Sequence, residues 1–257
     1  GDSSILAWYT TNANGSLKVY IGSDNEIFAN RNSTDLFAYI GYSTICTSTV
    51  TITGLNLLNV QSVTNMYRMF RATGYRSMTK LDLGSTFNTS NVTNMCGMFE
   101  DTGYTAMETL NLGSNFNTIK VETTAWMFIR CGYTKLINLD LGANFNTSKV
   151  TNMNGMFTDC GYTAMETLNL GSDFDTSNVK NMQSMFQRTG HTKMEALNLG
   201  TKFNTSQVTN MNSMFEETGY SEMTGLDLGS GFDTSNVTNM NEMFYKTGHE
   251  KMTTLNL

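Results

Sequence analysis

Few side chains in this 257-residue sequence could do chemistry: two histidines (His191, His249), four cysteines (Cys46, Cys96, Cys131, Cys160) and a regular row of Asp and Asn residues. Nucleophilic or general acid–base catalysis needs a histidine set beside a nucleophile and a carboxylate. Neither histidine suggests such a set, because each stands where equivalent stretches carry Tyr75, Tyr104, Tyr133, Tyr162 or Tyr220. Both read as replacements for an aromatic ring. No Cys-x-x-Cys pair occurs, so no zinc spacing exists. Nor does any motif bring Asp and Asn oxygens together around calcium. The expectation is a protein that is not an enzyme and holds no metal or cofactor.

The grid behind these positions is a repeat. Leu-Asx-Leu begins at Leu81, Leu110, Leu139, Leu168, Leu197, Leu226 and Leu255, always 29 residues apart, with a further copy at Leu55, 26 residues before Leu81. Counting Leu81 as position 1 and running the 29-residue grid in both directions, all 19 methionines fall at positions 15, 18 and 27, and 13 of the 15 phenylalanines at 7 and 19. Methionine at fixed repeat positions reads as adaptable core filler rather than as a soft-metal site. Such units cannot bury their apolar faces singly, so they must stack.

Within a unit, the alternation around Leu110 and Leu112 predicts a short half-buried strand. Val92, Met95 and Phe99 are spaced as one face of a helix, with Ser90 as its N-cap and Gly103 as a left-handed residue at its end. The predicted fold is α/β: a right-handed, leucine-rich-repeat-like solenoid with a parallel sheet on one side and short helices on the other. Residues 55–257 make the solenoid, as one 26-residue coil, six 29-residue coils and the start of another. Residues 1–54 form an N-terminal β cap. There 16–21 is a strand, 22–25 a turn and 27–29 its partner, with Trp8 and Phe37 covering the first coil. The chain ends inside a repeat and is expected to be a fragment of a longer one.

Strand position 2 carries Asn56, Asp82, Asn111, Asp140, Asn169, Asn198, Asp227 and Asn256. On an inner, concave strand face these would form a polar stripe, joined by Glu108, Glu166 and Glu195. Two readings stand: a rigid surface that grips a protein or glycan, or a solvated face of mutually hydrogen-bonded amides. The threonine column from Thr89 to Thr234 suggests an ice-binding face, but turn and cap chemistry is favoured. The coil at 110–138 deviates, with Ile119 for the capping Ser and Trp126 where Gly97 and Gly155 stand; its helix should be frayed or shifted. Trp126 is either an exposed binding anchor or a filler for the missing Met. Cys131 and Cys160 share one position in adjacent coils. Coils about 8–10 Å apart on a helical side are too far for a disulfide Cα spacing of roughly 4.4–6.8 Å, and only a turn would bring them nearer. Four free, mostly buried thiols are expected.

A net charge of −6 with no basic patch argues against nucleic acid. No run of 18 apolar residues argues against membrane insertion of this segment.

The stretch Phe-Asp-Thr-Ser-Asn-Val-Thr-Asn-Met-Asn-Glu-Met-Phe at 232–244, and its relatives from Phe87 onward, resembles the BspA-like bacterial surface-protein repeats, which are related to leucine-rich repeats. The resemblance covers about residues 55–257 and extends to segments before the repeats (27–30, 36–37 and 52–55). It implies an extracellular, surface-attached or secreted bacterial protein that binds host or matrix components, with no catalytic residues. The period is longer than that family's commoner short form, and no wall-sorting or lipid-anchor motif lies in the segment. A structural spacer presenting other domains is the alternative function.

Overall fold

The computed structural model describes residues 6–11, 17–23, 26–42 and 49–257, with the backbone alone at 6–9, 11 and 17–19. Its strands are β1 (Leu6–Thr11), β2 (Leu17–Gly22), β3 (Ile27–Phe28), β4 (Leu58–Asn59), β5 (Lys80–Asp82), β6 (Thr109–Asn111), β7 (Asn138–Asp140), β8 (Thr167–Asn169), β9 (Gly225–Asp227) and β10 (Thr254–Asn256). Among the described residues the fold is β-rich and repetitive, built on short parallel pairs, with no closed barrel.

In the repeats β5 pairs with β6, β7 with β8 and β9 with β10, each in parallel. Leu81 faces Leu110, Leu139 faces Leu168 and Leu226 faces Leu255. The 29-residue spacing is thus the stacking register. The pairing is intermittent, however, and not the continuous eight-stranded sheet expected. β6 and β7 lie side by side without closing a ladder, and residues 197–199 form no strand. Leu55–Leu57, expected to be a strand, is a 3-10 turn.

The helices predicted opposite the strands are absent from the described residues. In their place runs a second parallel ladder, bridging Asn32, Asn65, Asn94, Thr123, Asn152, Asn181, Asn210 and Asn239 in succession. Beyond each bridge, alternate N–H groups leave the chain for the next coil. Arg68 N–H donates to Cys96 C=O (3.0 Å), Phe70 to Met98 (2.9 Å) and Ala72 to Glu100 (2.7 Å). The groups between them close tight turns, such as Met98 N–H to Met95 C=O (3.2 Å). This alternation needs left-handed residues four apart, and Trp126 (φ 57°) and Arg130 (φ 53°) take that conformation at positions 17 and 21. An α-helix would point every N–H along its own axis; here half of them hold coils together. Gly103 is left-handed as expected (φ 56°), although it ends no helix.

Ser90 caps nothing either: its N–H donates to Asn88 Oδ1 (3.0 Å), closing a side-chain turn. The deviant coil keeps that turn, with Ile119 N–H on Asn117 Oδ1 (3.0 Å), and Thr123 holds its place in the bridge column. The coil is neither frayed nor shifted. The threonine column turns inward: Thr176 is fully buried, donating to Asn204 C=O and accepting from Asn204 N–H, both at 2.7 Å. From Thr89 to Thr205 the column is buried, and each hydroxyl clasps its coil to the next.

Ring columns fill the core. Phe70, Phe99, Phe128, Phe157, Phe186, Phe215 and Phe244 stack at 5.4–5.6 Å. Phe37 extends that column, 5.1 Å from Phe70. Residues 29–42 therefore already behave as a coil, and Ala29 N–H bonds Asn59 C=O (2.8 Å). In the expected cap, β2 does form but pairs antiparallel with β1, while β3 pairs in parallel with β4. The Trp8 side chain, Cys46 and turn residues Asp24 and Asn25 lie outside the described residues.

Candidate functional site

Position 2 places one polar side chain per coil between two buried leucines, so the pleat turns it outward. Asn111, Asp140, Asn169, Asn198 and Asp227 are exposed, and Asp82 is half-buried. Asn56 is not in this row: it lies beside Gly84, and its carbonyl accepts from Thr86 Oγ1 (2.7 Å). Each member of the row accepts the N–H of the glycine two residues on, as Asp140 Oδ1 does from Gly142 (2.9 Å). Along the stack, Asn111 Nδ2 donates to Asp82 Oδ1 and Asn169 Nδ2 to Asp140 Oδ1, both at 3.0 Å, and Asn256 Nδ2 to Asp227 Oδ1 at 3.1 Å. These Asp-then-Asn intervals are the ones at which strands pair. The Lys80 ammonium, 2.9 Å from Asp82 Oδ2, holds that carboxyl below its usual range.

Two open depressions straddle the row. One, of about 800 Å³, is lined by Asn198, Asp227, Asn256, Gly200 and Gly229 among others. The second, of about 600 Å³, is lined by Asp82, Asn111, Asp140 and the neighbouring glycines. Glu108 and Glu166 are exposed just before β6 and β8, and Glu195 is exposed at the equivalent place of a coil that forms no strand.

Trp126 stands apart from the row, in the second ladder. It is 40% exposed and lies where a side chain on Gly155 would go, its Cδ1 being 2.7 Å from the place of a Cβ there. The missing methionine is replaced instead by Thr124, which is buried and donates to Met156 Sδ (3.3 Å). Trp126 does not refill the core.

That ladder also carries a charge column. Asp101, Arg130, Asp159, Arg188, Glu217 and Lys246 succeed one another on consecutive coils. Arg130 grips Asp101 with two bonds (2.6 and 2.9 Å), and Arg188 grips Asp159 likewise (2.7 and 2.9 Å). The Asp101 carboxylate pushes the Arg130 guanidinium still further up. Opposite signs at 29-residue intervals were the signal for this column, visible only once position 21 is read down the stack.

Beside it runs the ring column from Tyr75 to Tyr220, with centroids 4.4–4.8 Å apart. His191 is a ring within it, 4.4 Å from Tyr162 and 4.7 Å from Tyr220, with Glu217 3.9 Å away. Burial holds its pKa below the usual 6.5, against the pull of Glu217. The folded state thus takes up a proton less readily than the unfolded one. The neutral ring's contribution is present above about pH 6.5 and is lost as pH falls through that value toward the folded one. His191→Tyr, which restores the column's usual residue, should flatten the fall in urea midpoint between pH 7 and 5. An unchanged slope would place its origin in other groups.

Among the described residues no group of three or more His, Cys, Asp or Glu could hold a metal ion. Among the described residues no helix is long and apolar enough to cross a membrane. Residues 43–170 and 162–254 match the family described as Mycoplasma protein of unknown function, DUF285. The chain belongs to that family. The two DUF285 matches overlap at 162–170 and together run through all the complete coils and into the segment before Leu55. No curated protein and no solved structure matches the chain.

Proposed function

We propose that this DUF285 chain is a non-enzymatic binding or adhesion module, working outside a bacterial cell, at its surface or secreted, and recognising a host or matrix protein or a glycan. In this reading the stack is a right-handed solenoid of the leucine-rich-repeat kind, related to the BspA-like surface repeats. The strand row Asp82, Asn111, Asp140, Asn169, Asn198 and Asp227 is its ligand face. One observation carries the proposal: six polar side chains stand in one row, each fixed by the N–H of a glycine two residues on, with Asp82, Asn111 and Asp140 lining one depression and Asn198 and Asp227 another. A row ordered beforehand loses little side-chain freedom on binding. Trp126, on the other ladder, is a separate exposed anchor.

The same bonds favour a second reading. Side chains already satisfied by one another need no ligand, as in a spacer that presents other domains. Replacing Asn111, Asp140 and Asn169 together by phenylalanine separates the two. Screened on arrays of matrix proteins and glycans, the wild-type chain should bind a partner saturably, and the triple variant should lose at least about tenfold in affinity, roughly 1.4 kcal/mol. Absence of any partner, or equal binding by the variant with unchanged circular dichroism, favours the spacer.

A further inference from the structure

Position 22 is threonine in most coils, and its hydroxyl has one task. Thr102, Thr189, Thr218 and Thr247 donate to the carbonyls of Phe70, Phe157, Phe186 and Phe215 at 2.6–2.7 Å. Cys131 and Cys160 replace it in two consecutive coils, giving up that bond twice. Both thiols are unpaired and wholly buried. The coil spacing around them is that of hydrogen-bonded strands rather than of packed helices. Phe128 and Phe157 are 5.5 Å apart just before the pair, Tyr133 and Tyr162 are 4.8 Å apart just after it, and Gly161 N–H bonds Cys131 C=O at 3.1 Å. Cα atoms one such rung apart fall within the roughly 4.4–6.8 Å that a disulfide spans. The separation of about 8–10 Å belongs to packed helices, and residues 128–162 form none.

We propose that Cys131 and Cys160 become a disulfide when the chain folds in an oxidising medium, stapling adjacent coils from inside the core. The inference is independent of the ligand face. The oxidant is a small-molecule disulfide, RSSR. One cysteine thiolate attacks it, forming a mixed disulfide and releasing RS⁻; the second thiolate then displaces the remaining RS⁻. Two protein S–H bonds and one RSSR bond are exchanged for one protein S–S bond and two RSH. Burial pushes both thiols well above their ordinary pKa, so neither reacts readily in the closed stack. The exchange therefore accompanies folding or a local opening of these coils.

The experiment refolds the full chain from urea in a buffer of oxidised and reduced glutathione, and in parallel with excess reductant. Thiols are then alkylated in denaturant and the peptides mapped. The expected product is a Cys131–Cys160 cross-linked peptide about 2 Da lighter than its two reduced parts, the mass of two hydrogens. The oxidised protein should also show a higher urea midpoint than the reduced one. That rise should vanish in Cys131→Thr and Cys160→Thr, substitutions that install the residue other coils use. Full alkylation of both residues after oxidative refolding overturns the proposal. So does their recovery as glutathione adducts, or a cross-linked form less stable than the reduced protein.

Discussion

Phe128→Ala should lower the unfolding free energy by about 3–5 kcal/mol, the range for truncating a fully buried ring. Phe128 has no exposed surface and lies between Phe99 at 5.4 Å and Phe157 at 5.5 Å, with Phe145 tilted against it at 6.5 Å. The cost depends on how far the walls can close over the cavity. Here they cannot close far, because the rungs are set by hydrogen bonds: Phe128 N–H to Met156 C=O is 2.8 Å, and Phe99 N–H to Met127 C=O is 2.8 Å. Urea unfolding followed by circular dichroism should show a midpoint lower by about 1 M or more, taking a denaturant slope near 3 kcal/mol/M. Phe28, which is 59% exposed, is the control; its alanine variant should change stability by less than about 0.5 kcal/mol. A loss at Phe128 below about 1.5 kcal/mol would mean that the ring column is not the source of cohesion.

The parts of this architecture that were legible from sequence are those a column expresses. Leu110 opposite Leu81 follows from the 29-residue interval, and the burial of Met95, Met98 and Phe99 from their repetition. The second ladder was misread because Val92, Met95 and Phe99 have a spacing that a helix and this alternating turn chain share. Both bury residues three and four apart. What differs is the fate of the N–H groups, and apolar spacing is silent about that. Gly97 and Gly155, in the centre of the supposed helix, were the contrary sign, and both take left-handed angles of 62° and 60°. The polar row at position 2 was legible in position and exposure. Its internal pairing was not, since an Asp–Asn bond requires knowing which coils close together. The charge column at position 21 went unseen because no single repeat contains more than one of its members.

That intermittent closure gives the second large effect. Gly113→Ala should cost about 3 kcal/mol or more, and Gly142→Ala only about 1–2 kcal/mol, the penalty of a left-handed conformation for an L residue. The two glycines occupy the same position of adjacent coils with nearly the same angle, φ 78° and φ 77°. Their surroundings differ. A Cβ on Gly113 would stand 1.9 Å from the Gly84 carbonyl oxygen, whereas one on Gly142 would meet nothing within 4 Å. Backbone cannot rotate aside as a side chain does, so β5 and β6 would have to part. That movement strains the bond from Leu83 N–H to Asn111 C=O (3.0 Å) and the Asn111–Asp82 pair beside it. Thermal unfolding of the two variants gives the difference directly. Amide hydrogen exchange should locate it, with protection lost at Leu83 in Gly113→Ala and retained there in Gly142→Ala. Gly171, whose Cβ would come within 2.4 Å of the Gly142 carbonyl, should behave as Gly113 does. Equal losses at 113 and 142 would mean that coils close evenly along the stack, and that the Asp–Asn alternation of the polar row does not decide which neighbours zip.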